Sequence, residues 1–308
     1  MFQAILRRIG AALLTLWLAA TLTFFTLFLV PGDPAEAALS QSTASEDVLE
    51  RRREALGLNL PLWDQYERYW IGLLHGDLGI SWSAGQPVAY MIGQQIGPTA
   101  ALAAAGMVVA VVVGIGLGLG ASIWPGTWAA EACRRVTGFL LALPVMVAGI
   151  LLIILFAVLL DVLPATGQGT PGQLILPALT VGLNAAGGIA RTVDAGVSEA
   201  MTRSFVKVAR AKGLTHSRVV IRHALRIGFL PVLDIIALQF GMLLGGAVVT
   251  ESVFARQGIG RLLLTAVLDK DLPVVQGVVL ISALVYSLLN LSADLARVWL
   301  DPRLRIEE

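Results

Sequence analysis

The chain has 308 residues, 56% of them hydrophobic and only 14% charged, with a formal net charge of +1. Soluble domains carry about a quarter charged residues, so this is the composition of a membrane protein. A single cysteine, Cys133, excludes an internal disulfide, no Cys/His cluster has zinc spacing, and the basic residues concentrate in one short stretch, which argues against nucleic-acid binding.

Six segments have membrane length: residues 9–30, 99–124, 136–160, 174–190, 232–250 and 274–298. Arg7 and Arg8 ahead of the first, with Ala35-Glu36-Ala37 behind it, imitate a cleaved leader. Its apolar run exceeds the roughly 7–15 residues of a signal-peptide core, so a retained first span is expected. The long connection 31–98 opens on the turn Pro31-Gly32-Asp33-Pro34. Within it, residues 45–56 read as a charged helix capped by Ser45 and stopped by Gly57. Residues 61–74 read as a second helix, whose Trp63, Tyr66, Tyr69 and Trp70 suit a membrane–water boundary. In the second span Gly114, Gly116, Gly118 and Gly120 recur at every second position and permit close helix packing. Pro144 is expected to kink the third span, and Pro177 to leave the short fourth one tilted or irregular.

Residues 191–226 read as a polar loop between apolar spans. They hold eight basic residues (Arg191, Arg203, Lys207, Arg210, Lys212, Arg218, Arg222, Arg226) against Asp194 and Glu199. Val197, Met201, Phe205 and Val208 form one apolar helical stripe, and Gly213 ends that helix. Thr215 or Ser217 can cap a second helix, on which Arg218, Arg222 and Arg226 make a row. A plain loop needs no apolar stripe. By periodicity alone the unit suits a soluble partner or anionic lipid equally. Arg7/Arg8, Arg134/Arg135 and Arg303/Arg305 fall on the same side as this stretch, which makes that side, with both termini, cytoplasmic by the positive-inside rule. The opposite side holds 31–98, 161–173 and 251–273, where Gly76 to Gly79 and Gly258 to Gly260 read as turns, and Glu251 and Asp271 are expected to be solvated.

No catalytic constellation is present. H-E-x-x-H, G-x-S-x-G and the P-loop pattern are all missing, so the chain has no phosphate-binding loop of its own. His216 and His223, seven apart, read as a surface pair rather than a metal site.

The basic stretch resembles the EAA loop of ABC importer permeases, with Lys207-Val208-Ala209 standing for EAA, Gly213 for its glycine and His223-Ala224-Leu225-Arg226 for its ending; Ala209, Gly213 and Leu225 match. In detail it is similar to the B-type subunit of the oligopeptide/dipeptide/nickel permeases. Their A-R-A-K-G-L and R-H-A-L-R runs stand here at Ala209 to Leu214 and Arg222 to Arg226. Collinear matches cover nearly the whole chain, among them Pro31 to Pro34, Gly76 to Gly79, Glu251 to Phe254, Asp271 to Gln276 and Asp301 to Arg303. Asp194 departs from the pattern, standing where relatives often have a small or basic residue.

The resemblance implies an all-α polytopic membrane protein with six transmembrane helices and the type I ABC importer permease architecture. Residues 1–30 would be the first helix, 31–98 an extracytoplasmic loop with short helices, and 99–308 a five-helix core containing the cytoplasmic coupling loop 191–230. Partners would be a second, C-type permease subunit, two cytoplasmic ATPase subunits, an extracytoplasmic substrate-binding protein and membrane lipid. ATP and Mg would be held by the ATPases, leaving this chain without cofactor, metal or catalysis. The interface to the ATPases would fall on Phe205, Ala209, Lys212, Gly213, Leu214, Arg218, Arg222 and His223. The cargo of such permeases is a peptide, a nickel or other metal chelate, or another small solute. An ion-gradient transporter is the competing class, but the span interiors are almost bare of charge, with Asp234 and Asp294 near ends.

Overall fold

A computed structural model describes residues 2–29, 47, 50, 51, 53, 54 and 59–300. The expected turn at 31–34 lies outside them, as does most of the expected helix at 45–56. Among the described residues the secondary structure is helical apart from one isolated bridge between Ile80 and Pro87. Four helices are long and apolar enough to cross a membrane, and two bent pairs bring the number to six if each pair is one span. The chain divides into two compact units, residues 1–98 with 257–308, and residues 99–256.

The first unit contains α1 (Phe2–Leu29), α2 (Leu62–Leu74), the start of α3 (Val88–Ile123), α11 (Ile259–Leu268) and α12 (Leu272–Leu300). Helix α1 packs on α12, where Gln276 Nε2 donates to the carbonyl of Thr23 at 3.2 Å. The aromatic face of α2 closes on α1: Tyr66 and Tyr69 meet the Phe24 ring at 5.2 and 5.4 Å, and Tyr66 shares a 2.9 Å hydrogen bond with Thr21. Burial pushes the Tyr69 phenol above its ordinary value, an effect that Thr23 partly opposes. Trp63 meets the Tyr66 ring at 5.7 Å yet remains exposed, as a boundary aromatic would.

Asp271 is not the solvated loop acid expected from sequence. It is 1% exposed and holds the turn that follows α2. Its carboxylate accepts from Ser81 Oγ (2.5 Å), Ser83 Oγ (2.7 Å) and the backbone N–H groups of Trp82 and Ser83 (both 3.1 Å). Four donors on one carboxylate explain how a charge tolerates burial.

The second unit is built on the rest of α3, then α4 (Trp128–Ala142), α5 (Val145–Ile153, continued as a π-helix to Leu159) and α6 (Gly172–Ala200). The glycines of α3 admit α6 closely. A Cβ on Gly114 would lie 2.7 Å from Ile189, and one on Gly118 would lie 2.6 Å from Val193, whereas Gly116 faces open space. The expected third span is not one kinked helix. Pro144 ends up as the N-cap of α5, and the two halves meet at 106°. A proline cannot continue α4, and its fixed φ suits a helix start.

The expected irregularity at Pro177 is also absent. Helix α6 continues unbroken past it to Ala200, so residues 191–200 are helix rather than loop. Pro177 has no N–H for the carbonyl of Gln173, four residues earlier. Arg256 takes that carbonyl instead, donating from Nη1 at 3.1 Å, with a longer contact to the carbonyl of Gly167. Burial lowers the Arg256 pKa and nearby Glu251 raises it. Glu251 itself lies near the end of α10 (Leu230–Val253), is fully buried and accepts from Thr99 Oγ1 at 2.6 Å, again contrary to the solvated reading. Gly258 is extended at φ 174, a conformation open to any residue, so no turn there requires glycine.

Candidate functional site

The basic stretch folds as a bent unit after α6. Residues Met201 to Arg203 turn the chain, and α7 (Ser204–Ala211) follows. The expected single stripe is therefore divided: Val197 belongs to α6, while Phe205 and Val208 lie on α7. The helical period continues across a break that no Gly or Pro announces.

Helix α7 ends in a Schellman motif. Gly213 N–H donates to the carbonyl of Arg210 at 2.9 Å, and Leu214 N–H donates to that of Ala209 at 3.2 Å. The motif demands a left-handed residue at the turn, and Gly213 supplies it with φ 75. Leu214 then folds back with Phe205 and Met201 on buried Val206, Ala209 and Val219. The roles of Ala209, Gly213 and Leu214 are thus one local device that sets the angle between two helices.

The second arm runs through α8 (His216–Val219), a π-helical turn (Val220–Ala224) and α9 (Leu225–Gly228). Thr215 is the N-cap residue, but its side chain makes no capping bond. Arg218, Arg222 and Arg226 are all exposed along this arm, which includes the π turn. Val220 and Ala224 face inward, buried with Val193, Val197 and Ala200 of α6. His223 is half-buried, and its Nδ1 has no hydrogen-bond partner among the described residues.

The outward surface combines cations with unpaired apolar side chains. Lys207, Lys212, Arg218 and Arg222 are exposed, and among them Val208 and Ile221 remain 56% and 54% exposed. Large apolar residues left open beside cations, on a unit whose other apolar residues are packed, form a patch that a partner surface can cover.

Two features escaped sequence reasoning. Gly196 on α6 and Gly228 on α9 touch backbone to backbone, so that a Cβ on Gly196 would sit 2.5 Å from the Gly228 carbonyl oxygen. Glycine inside a helix costs about 1 kcal/mol, and that cost was the available signal. The second feature is Asp194. It pairs with Arg134 of α4 (2.9 Å to Nε, 3.3 Å to Nη2) and accepts from Ser122 Oγ of α3 at 3.0 Å. His216 reaches the same place, its Nε2 lying 3.1 Å from the Ser122 carbonyl. Its unmatched charge against the family pattern was the clue.

Comparison with known proteins places the chain. Residues 110–306 match the family model described as binding-protein-dependent transport system inner membrane component, and residues 1–103 match the N-terminal model of such membrane components. Over 305 residues the chain is 35% identical to the glutathione transport system permease protein GsiC of Escherichia coli O6:H1, covering 99% of both chains. It is 34% identical to GsiC of Escherichia coli K12, with the same coverage. In fold it resembles the inward-facing MetNI methionine ABC transporter in its CY5 native crystal form, with a TM-score of 0.57 at 19% identity, over 68% of this chain and 95% of that one.

Proposed function

The chain belongs to the family of binding-protein-dependent transport inner membrane components, as a B-type permease subunit of the oligopeptide/dipeptide/nickel ABC importers, and from that premise we propose that it carries peptides into the cell. It is a multi-pass inner-membrane subunit that supplies passage and coupling rather than chemistry, within a machine that includes ATPase and binding-protein partners. Its cargo is a di- or oligopeptide, a reading supported by the similarity to permeases named for glutathione, itself a small peptide.

In this reading a C-type permease subunit completes the passage, and two ATPase subunits dock on the cytoplasmic side, where both termini lie. The bent unit from Ser204 to Gly228 meets an ATPase groove through exposed Lys212, Gly213, Arg218 and Arg222, backed by half-buried Phe205, Leu214 and His223, with buried Ala209 holding the angle behind them. The observation that carries this role is the exposed cationic and apolar surface mounted on a buried core. Moving a two-state permease from mostly inward to mostly outward takes about 5 kcal/mol of differential binding. Only a stiff connector delivers such work, and a Schellman-capped helix pair packed on α6 is stiff.

The test is reconstitution of both permease subunits, the two ATPases and the binding protein in proteoliposomes with labelled di- and tripeptides. Uptake is expected to require ATP and to survive an ionophore. Uptake of a nickel chelate but no peptide overturns the cargo, and uptake abolished by the ionophore while ATP is present overturns the coupling.

A further inference from the structure

Resting on that coupling role, we infer that His216 is a positioning residue that latches the bent unit to α3, α4 and α6 at one polar node. The last carbonyls of a helix have no partner within it, and Ser122 is the penultimate residue of α3. His216 Nε2, 3.1 Å away, supplies the missing donor. Since a carbonyl only accepts, the imidazole proton sits on Nε2. Nδ1 then accepts from Arg210 Nη2, which lies at 3.5 Å on the neighbouring arm. The hydroxyl of the same Ser122 lies 3.0 Å from both Asp194 of α6 and the Gly118 carbonyl of its own helix, so its one proton is shared between them, and Asp194 grips Arg134 of α4 through two nitrogens.

This node does what the apolar packing cannot. Val220 and Ala224 press on α6 through apolar contacts that carry no direction of their own. Hydrogen bonds are directional and fix register. Displacement of the unit therefore pulls on three helices together, through one imidazole.

The experiment compares His216→Ala, His216→Gln and His216→Asn in the full reconstituted assembly. It reads peptide uptake per ATP hydrolysed alongside co-purification of the ATPases. The amide nitrogen of Gln overlays Nε2, whereas that of Asn overlays Nδ1 and falls short of Ser122. The Ala and Asn variants are expected to lose about three- to tenfold in uptake per ATP, the range one hydrogen bond spans, with the ATPases still bound, and Gln is expected to restore it. Normal uptake per ATP in His216→Ala overturns the latch, as does equal behaviour of Gln and Asn. If the Ala variant fails to assemble, the Gln and Asn pair decides. Absence of ATP-linked uptake in the unaltered assembly counts against the coupling role itself.

Discussion

Gly196 and Gly228 meet without side chains between them: a Cβ on either would fall 2.5 or 2.6 Å from backbone atoms of the other. The contact seats the far arm of the bent unit on α6. Gly196→Ala must separate the two backbones, because the obstructing atom is a carbonyl oxygen that no rotamer change removes. Such overpacking costs about 1–3 kcal/mol. The variant is expected to insert and to keep its spans while binding the ATPases less firmly. Gly116→Ala, which faces open space on α3, serves as the matched control. Equal ATPase recovery from the two variants would show that the close approach carries no function.

Gly213 raises a different issue, since a Cβ there meets nothing within 4 Å and only its φ of 75 is demanding. Asn tolerates the left-handed region, whereas Val resists it by about 1–2 kcal/mol. Asp fits the backbone but places a negative charge at the C-terminal, electronegative end of α7, beside Lys212. Gly213→Asn is expected to transport nearly as the native chain does. Gly213→Val and Gly213→Asp are expected to hydrolyse ATP with uptake reduced by about tenfold, through wrong angle and wrong charge respectively. Normal uptake in Gly213→Asp would remove the electrostatic part of the argument.

The bent unit was legible because its signals are local. The Ala209 to Leu214 run is the sequence form of a Schellman cap, and the cap appears with its expected glycine. The reading of Val197, Met201, Phe205 and Val208 as one helix failed because periodicity reports a face and not continuity. Pro177 misled for a related reason. Its local rule was right, but the orphaned carbonyl found a donor in Arg256, 83 positions away from Gln173. Glu251 and Asp271 followed the same logic: an acid between spans defaults to solvent, and only tertiary donors reveal that it is buried. The long apolar helices and the Gly213 cap were therefore readable, while contacts that close over long sequence distance were not.

The Arg256 and Pro177 relationship yields a double-mutant cycle. Arg256→Leu in the native chain leaves the part-buried Gln173 carbonyl without this donor, a loss of about 1–2 kcal/mol. Pro177→Ala restores an N–H aimed at that carbonyl, so the same Arg256→Leu change should then cost about 1 kcal/mol less. Thermal midpoints of the detergent-solubilised variants measure the difference. Strict additivity would mean that Arg256 stabilises the region through Gly167 and Glu251 rather than through the Gln173 carbonyl.

Asp271 carries the last prediction, which tests whether a buried acid organises the surface turn 81–86. Oδ2 accepts from Ser81 Oγ, Ser83 Oγ and Ser83 N, while Oδ1 accepts only from Trp82 N. An asparagine can keep its oxygen at the threefold position and confront the Trp82 N–H with its own amide. Alanine strands all four donors, two of which are backbone groups with no rotamer to escape by. Asp271→Ala is therefore expected to destabilise the first unit by about 2–4 kcal/mol, and Asp271→Asn by roughly half as much. Limited proteolysis should cut within 81–86 in the alanine variant before any other site, with the asparagine variant intermediate. The native chain should remain intact at that turn. If both variants resist cleavage as the native chain does, the turn is held by the Ile80–Pro87 bridge and the burial of Asp271 is incidental to it.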